Sequence, residues 1–304
     1  MSKLSPLSAV VARYVSDGAS VVMGSALECL IPFAAGHEMI RQGKRDLTLI
    51  GPISDILFDQ LIGAGCVRRV IAAWVGNVAF GLGRNFRRAV EEGSPHPLEV
   101  EDHSNFSIAL ALEAGALGVP YLPTRTLLGS GILSRNTSIK VAPCPFTGQP
   151  LVLVPALTPD VAILIVQRSD ENGNAHCWGP TGVSAAAARA SRHTILLAEE
   201  IVDADVIRSD PNRVVVPGFR VNAVVHAPRA GHPSPVQGCY NRDHESYAEY
   251  ARRTRASQDF LGWLHEWVLD VKDHDGYLTK LGRDRLEALR VKRSRLAAPV
   301  EYGS

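Results

Sequence analysis

No two cysteines in this sequence are separated by just two residues. Cys29, Cys66, Cys144, Cys177 and Cys239 are widely spaced and odd in number. That excludes a zinc ribbon or a thioredoxin-type pair and fits reduced thiols in a cytoplasm. An excess of one charge is also lacking, since 32 Lys and Arg face 31 Asp and Glu for a net charge near +1. A nucleic-acid binder carries a basic surplus to neutralise phosphates. The local basic run from Arg283 to Arg295 is interrupted by Asp284 and Glu287, and reads as a solvated helix face or tail. No apolar run reaches the ~20 residues of a membrane helix. The first residues, Met1 to Gly18, break their apolar positions too often for a secretory leader. Neither a P-loop nor a dinucleotide-binding glycine fingerprint is present, which argues against nucleotide hydrolysis and a dinucleotide cofactor. The expectation is a soluble, cytoplasmic protein whose partners are neither nucleic acid nor membrane.

What the sequence does have is core-forming material: 304 residues, 46% of them hydrophobic, room for one large α/β domain or two medium ones. Short β-rich runs alternate with helical stretches. Ser5-Pro6 opens a helix in which Leu7, Val10, Val11, Tyr14 and Val15 recur at helical spacing, and Asp17-Gly18 stops it. Strands are expected at Ser20 to Met23, Leu47 to Ile50, Val67 to Ala73, Leu151 to Val154, Val161 to Gln167, Thr194 to Ala198 and Val221 to Ala227. Helices are expected at Pro32 to Gln42, Ser54 to Leu61, Arg84 to Glu92, Asn105 to Leu117 with Ser104 as its cap, and Ser184 to Ala190. The region from Ser246 to Val271 reads as helical, with Phe260, Trp263, Leu264, Trp267 and Val268 on one face, and Leu278 to Leu289 as a final helix. This alternation predicts an α/β fold, a mostly parallel open sheet with helices on both faces and a helical C-terminal part. Ligands in such sheets sit beyond the carboxyl ends of the strands, so the loops after Met23, Ile50 and Ala73 are the first candidates.

Several segments carry a family resemblance. Asp17-Gly18-Ala19-Ser20-Val21-Val22-Met23-Gly24-Ser25-Ala26, followed by Pro32, resembles the first signature of coenzyme A-transferase alpha subunits, with Ser25 and Ala26 in place of its second Gly and Phe. Val100 to Asn105, Leu117 to Pro123 leading to Gly129-Ser130-Gly131, Pro217 to Val225, Gly231 to Ser234 and Glu266 to Asp275 are similar to the glutaconate coenzyme A-transferase alpha type in particular. The resemblance runs in order from about Leu4 to about Val291, and ordered segments are more specific than any short motif. It implies one coenzyme A-transferase domain over residues 1–304, with a helical extension over about 246–304. It implies a partner, the homologous beta subunit, in a heterodimer or higher assembly. The catalytic glutamate lies on that partner and exchanges coenzyme A through a glutamyl thioester. The coenzyme A thioester is then a substrate, with no permanently bound cofactor, and this chain has no catalytic residue of its own.

Candidate pocket residues are Gly24, Ser25, Glu101, Asp102, His103, Ser104, Gly129, Ser130 and Gly131. Gly24-Ser25 follows the first strand, where backbone N–H groups can hold an oxyanion, or simply form a tight turn. Glu101 to Ser104 places His and two carboxylates at a helix N-terminus. That fits a substrate pocket, with Ser104 as an ordinary cap, or a hydrolase with His103 as general base and Asp102 orienting it. That second enzyme class would cleave a carbon–carbon bond of a cyclic 3-oxoacyl-CoA. A third reading is a non-catalytic scaffold subunit. Gly129-Ser130-Gly131 can present N–H groups, and Arg125 and Arg135 flank it, as carboxylate partners or as surface arginines. Glu28 is a solvated acid or a pocket-lining one. Ser169-Asp170-Glu171-Asn172-Gly173 reads as a hairpin turn, so Glu171 is not the expected nucleophile. His232 reads as a turn residue. No metal is expected at Asp273-His274-Asp275, because successive helical side chains diverge, and His176-Cys177 is not expected to be a site.

Overall fold

The computed structural model describes residues 2–292. The expected basic tail beyond 292 and the end of the C-terminal extension lie outside the described residues.

The strands Ala223–His226, His193–Ile201, Val161–Ser169, Ser20–Val22, Leu47–Ile53, Val67–Trp74 and Glu99–Asp102 lie side by side in that order, each parallel to its neighbour. The central strands read as continuous branched runs because both faces are covered. In Val161–Ser169, every residue except Arg168 is buried. Helices Phe33–Arg41 and Asp55–Gly63 cover one face, where Met39, Leu57, Phe58 and Leu61 join Leu49 and Ile163 in one core. Helices Asn105–Leu117 and Ser184–Ala190 cover the other, where Ile108, Leu112 and Ala187 pack on Val22, Ile50 and Ile71. Truncating a fully buried leucine such as Leu49 to Ala costs about 2–5 kcal/mol.

Helix Asn105–Leu117 starts and stops where its local chemistry dictates. The Ser104 hydroxyl accepts from the Ser107 amide in a reciprocal capping box, and Gly118 closes it at φ 71°. The hairpin after Val161–Ser169 forms as expected, with the Asp170 carboxylate accepting from the Asn172 and Asn174 amides and Gly173 at φ 89°.

Some expectations need correction. The first helix is Leu7–Tyr14, one residue later than Pro6 implies, with Pro6 at the cap. The Ser246 to Val271 stretch is divided into His244–Arg253, Ser257–Leu264 and a π-turn, His265–Leu269. Phe260, Trp263, Leu264 and Val268 are nonetheless all buried in the main core. The final helix is broken by Gly282 at φ 85° into His274–Leu281 and Arg283–Leu289. Edge strand Glu99–Asp102 has no sequence signal because it is polar and largely exposed. Tyr121–Thr124, Pro150–Pro155 and Lys140–Pro143 form a separate antiparallel sheet over the Asn105–Leu117 helix, around Ala111, Ile139, Val152 and Val154.

Candidate active site at the carboxyl ends of the strands

The loops leaving the carboxyl ends of the parallel strands hold two groups of polar residues. Strands Leu47–Ile53 and Val67–Trp74 lie between the first strand and Glu99–Asp102. At about 4.8 Å per strand, the ends of the first strand and of Glu99–Asp102 stand roughly 14 Å apart, and the loops of the two strands between them add residues to the first group.

The first group is built on Gly24. Its φ is 65°, and a Cβ there would lie 2.8 Å from the Ser54 Cα, so only glycine lets the two loops meet. Ser54 Oγ donates to the Met23 carbonyl at 3.1 Å. Ser25 is buried, its hydroxyl 2.9 Å from that of Ser184 and its carbonyl accepting from the Val183 amide. Leu27 and Leu30 both take positive φ in the next turn. Glu28 is a half-buried member of an ion network, not a solvated helix-leading acid. It accepts from the Val78 amide at 2.8 Å and from Arg242 Nη2 at 3.0 Å.

Asp55, which no sequence motif marks, sits at the centre of this group. It is fully buried at φ 53° and accepts hydrogen bonds from Asn77 Nδ2 at 2.7 Å and from the Tyr247 hydroxyl. Burial pushes its carboxyl up to about 6, against the pull of those donors and of Arg242. Neither Arg242 nor Tyr247 is readable as a site residue, since each meets Asp55 from a distant part of the chain. The one local signal is the polar Asn241-Arg242-Asp243 run ahead of an amphipathic helix.

The second group is Glu101, His103 and Ser104. His103 is buried, with Nε2 3.1 Å from Glu101 Oε1 and Nδ1 3.0 Å from Ser107 Oγ. Glu101 also accepts from Ser138 Oγ at 2.7 Å and from Arg69. The His103 hydrogen bond is the main cause that holds its carboxyl down at about 2. The residue that orients His103 is therefore Glu101 and not Asp102, whose side chain is exposed and whose backbone carbonyl accepts from Asn136. Alternation along the strand explains this, because residues two apart share a face. The stretch after Gly129-Ser130-Gly131 joins this group through Asn136 and Ser138. Gly129 takes φ 79°, and the shielded Ser130 hydroxyl has no hydrogen-bond partner among the described residues. Arg125 and Arg135 are exposed on either side.

The remaining candidates are structural. His232 is buried, bonded to Asp243 at 2.8 Å and to the Tyr277 hydroxyl at 2.7 Å. Asp273 caps a helix through the Gly276 amide, and His274 donates to the Pro228 carbonyl. His176 Nε2 lies 3.0 Å from the Ile207 carbonyl. Among the described residues no three His, Cys, Asp or Glu side chains converge as a metal would need, and no helix is long and apolar enough to cross a membrane.

Residues 6–227 match the family model described as Coenzyme A transferase. The chain is 38% identical over 285 residues to one of the subunits of the 3-oxoadipate CoA-transferase of Pseudomonas knackmussii, covering 94% of this chain and 100% of the relative. It superposes on the crystal structure of glutaconate coenzyme A-transferase from Acidaminococcus fermentans with a TM-score of 0.91 at 35% identity, covering 95% of this chain and 96% of the other. A crystal structure of the decarboxylase AibA/AibB matches with a TM-score of 0.75 at 30% identity over 88% of this chain and 100% of that one. With sequence match and fold in agreement, this chain belongs to the coenzyme A transferase family.

Proposed function

We propose that the chain, as one domain, is the alpha-type subunit of a heteromeric cytoplasmic acyl-CoA:carboxylate coenzyme A-transferase. Its homologous beta partner carries the catalytic glutamate, and this chain lines the acyl pocket. The observation that carries this reading is the make-up of the carboxyl-end face. Its carboxylates Glu28, Asp55 and Glu101 are already held by donors, as Glu101 is by His103 and Glu28 by Arg242. Around them stand exposed apolar side chains: Leu27, Trp74, Val78, Phe80, Leu82 and Phe106. Such a face binds and shapes but holds no activated nucleophile, and an apolar rim of this kind marks a ligand or protein contact. Glu171 is no rival nucleophile, because it stands exposed at a hairpin tip. The acids in the names of both transferase relatives are dicarboxylic, which supports a short dicarboxylic or 3-oxodicarboxylic acyl-CoA as substrate.

Chemistry of that kind divides one exchange into steps on a carboxylate. The partner's glutamate attacks the thioester carbonyl, coenzyme A leaves as thiolate, and the acyl–glutamyl anhydride takes the thiolate back as an enzyme thioester while the free acid departs. The role left for Gly24–Ser25 and Gly129–Gly131 is to hold the acyl oxygens, and that of the apolar rim is to exclude water. The hydrolase alternative needs His103 as base and has less support, since both of its ring nitrogens are engaged inside the chain. The test is to express the chain alone and with its partner, assay coenzyme A exchange, and trap the thioester with borohydride. Exchange only in the complex, with the label on the partner, is expected. Robust exchange by the lone chain, or a labelled glutamate within it, overturns the reading.

A further inference from the structure

The segment after strand Val67–Trp74 doubles back as a small hairpin, Gly76–Asn77 pairing with Gly81–Leu82. Gly76 takes φ 144°, and a Cβ there would lie 2.4 Å from the Gly81 carbonyl oxygen, so the turn requires glycine. Val78 and Phe80 are 68% and 41% exposed at its tip, and Leu82, paired with Gly76 at its base, is 41% exposed. Two residues per strand cannot hold a hairpin by themselves, and here side chains do so.

The Val78 amide donates to Glu28 Oε1 at 2.8 Å. The Ala79 and Phe80 amides donate to Asn77 Oδ1 at 2.9 and 3.2 Å. Asn77 Nδ2 donates in turn to Asp55, and the Phe80 ring stacks on Tyr247 with centroids 6.3 Å apart. Both carboxylates meet one guanidinium. Arg242 Nη2 is 3.0 Å from Glu28 Oε2, its Nη1 is 3.9 Å from Asp55 Oδ2, and its plane lies over the Tyr247 ring at 5.1 Å. Only a planar fork can serve two carboxylates and an aromatic face at once. Asp55 endures burial and a positive φ to take part, and strain of that kind is kept where position matters.

We propose, resting on the reading of function above, that Arg242 is a positioning residue. Through Glu28 and Asp55 it fixes the 76–82 hairpin as the wall of the acyl site, with Val78 and Phe80 setting which acyl groups fit. Rigid placement of apolar side chains is what discrimination between acyl chains needs, since one methylene too many is rejected only by a wall that does not yield. A seat for a partner chain gains little from buried charges at its root, because partners adapt their side chains on docking.

The experiment uses the assembled complex with acetyl-CoA, glutaryl-CoA and adipyl-CoA as donors. Phe80→Ala is expected to change the ratio of kcat/KM between the longest and shortest donors by about tenfold. Arg242→Gln is expected to raise KM for all three and to speed hydrogen exchange at the Val78 and Phe80 amides, leaving the central strands protected. Arg242→Lys restores part of both. Glu28→Gln keeps an acceptor for the Val78 amide but loses the ion pair, so it reports on the same strut should Arg242→Gln fail to fold. An unchanged donor ratio in Phe80→Ala overturns the proposal. So does weakened assembly with intact kinetics once the complex has formed, which would make the hairpin a partner seat. If the wild-type complex transfers to no acceptor, the reading of function is what falls. Calorimetric ranking of the three thioesters then decides the wall: a ranking altered by Phe80→Ala supports it, and an unaltered one removes it.

Discussion

His103 and Glu101 hold each other two residues apart at a strand end: the imidazole Nε2 lies 3.1 Å from the carboxylate, while Nδ1 faces the Ser107 hydroxyl at 3.0 Å. The pair ties the end of edge strand Glu99–Asp102 to the start of helix Asn105–Leu117, and through Ser138 to the loop over it. A histidine so enclosed has no free lone pair directed at a substrate. Those two hydrogen bonds fasten the strand end to the N-terminus of the helix.

Under the transferase reading, replacing His103 by Ala in the assembled complex is expected to lower kcat/KM by about tenfold, as displacement of a pocket wall does. Loss of a general base would cost roughly 10²–10⁴-fold. The measurement is steady-state exchange across pH. An acidic limb, a fall in rate as pH drops, that is present in the wild type and missing in His103→Ala would restore the general-base reading.

Stability should respond to pH in two opposite ways. Glu101, held near 2 mainly by His103, keeps a proton less readily in the folded chain than in the unfolded one, where its ordinary value is 4.5. Its contribution is full above that value and lost as pH falls through the range from 4.5 to about 2. Asp243 acts in the same direction, since its hydrogen bonds from His232 and Arg285 outweigh the effect of burial. Glu199 does the reverse. Burial pushes its carboxyl up to about 7 despite donors from the Arg229 amide and Tyr240, so stability present below its ordinary 4.5 is lost as pH rises to about 7. Glu199→Gln, which cannot ionise, should therefore gain more in Tm relative to wild type at pH 8 than at pH 5. Equal differences at the two pH values would sink this assignment.

Gly24→Ala should destabilise the chain by about 1–3 kcal/mol, because the new Cβ meets the Ser54 backbone and φ is positive. Urea denaturation of the lone chain measures it. Gly129→Ala, equally at positive φ but with open space around it, is the control for the cost of the dihedral alone. Equal losses at the two positions would mean that the close approach of the two loops contributes nothing.

Much of this arrangement is legible in the sequence wherever one element dictates it. The strands at Val161 and Thr194 announce themselves because both faces are buried, and Ser104 and Gly118 bracket their helix by cap chemistry. Gly24 is legible from its place at the end of a strand. Glu99–Asp102 is not, because an exposed edge strand carries no apolar pattern, and without that strand Glu101 cannot be seen to face His103. Asp55 and Arg242 are hidden for another reason. Their meaning is a contact between distant segments, and periodicity reports only on neighbours.

Arg125 and Arg135 give the last prediction. Both are exposed beside Gly129-Ser130-Gly131, and neither forms an ion pair among the described residues. A guanidinium free of internal partners is available to grip the distal carboxylate of a dicarboxylic acyl group in a bidentate fashion. In an open site such a pair contributes little, on the order of 1 kcal/mol, and more once a partner chain closes over it and excludes water. Replacing each arginine by Ala in the complex should then raise KM for glutaryl-CoA several-fold more than for butyryl-CoA, which has no distal charge. The difference should shrink as salt rises if the site stays open, and persist if it is sealed. Equal KM changes for the two donors would make both arginines surface residues with no part in carboxylate binding.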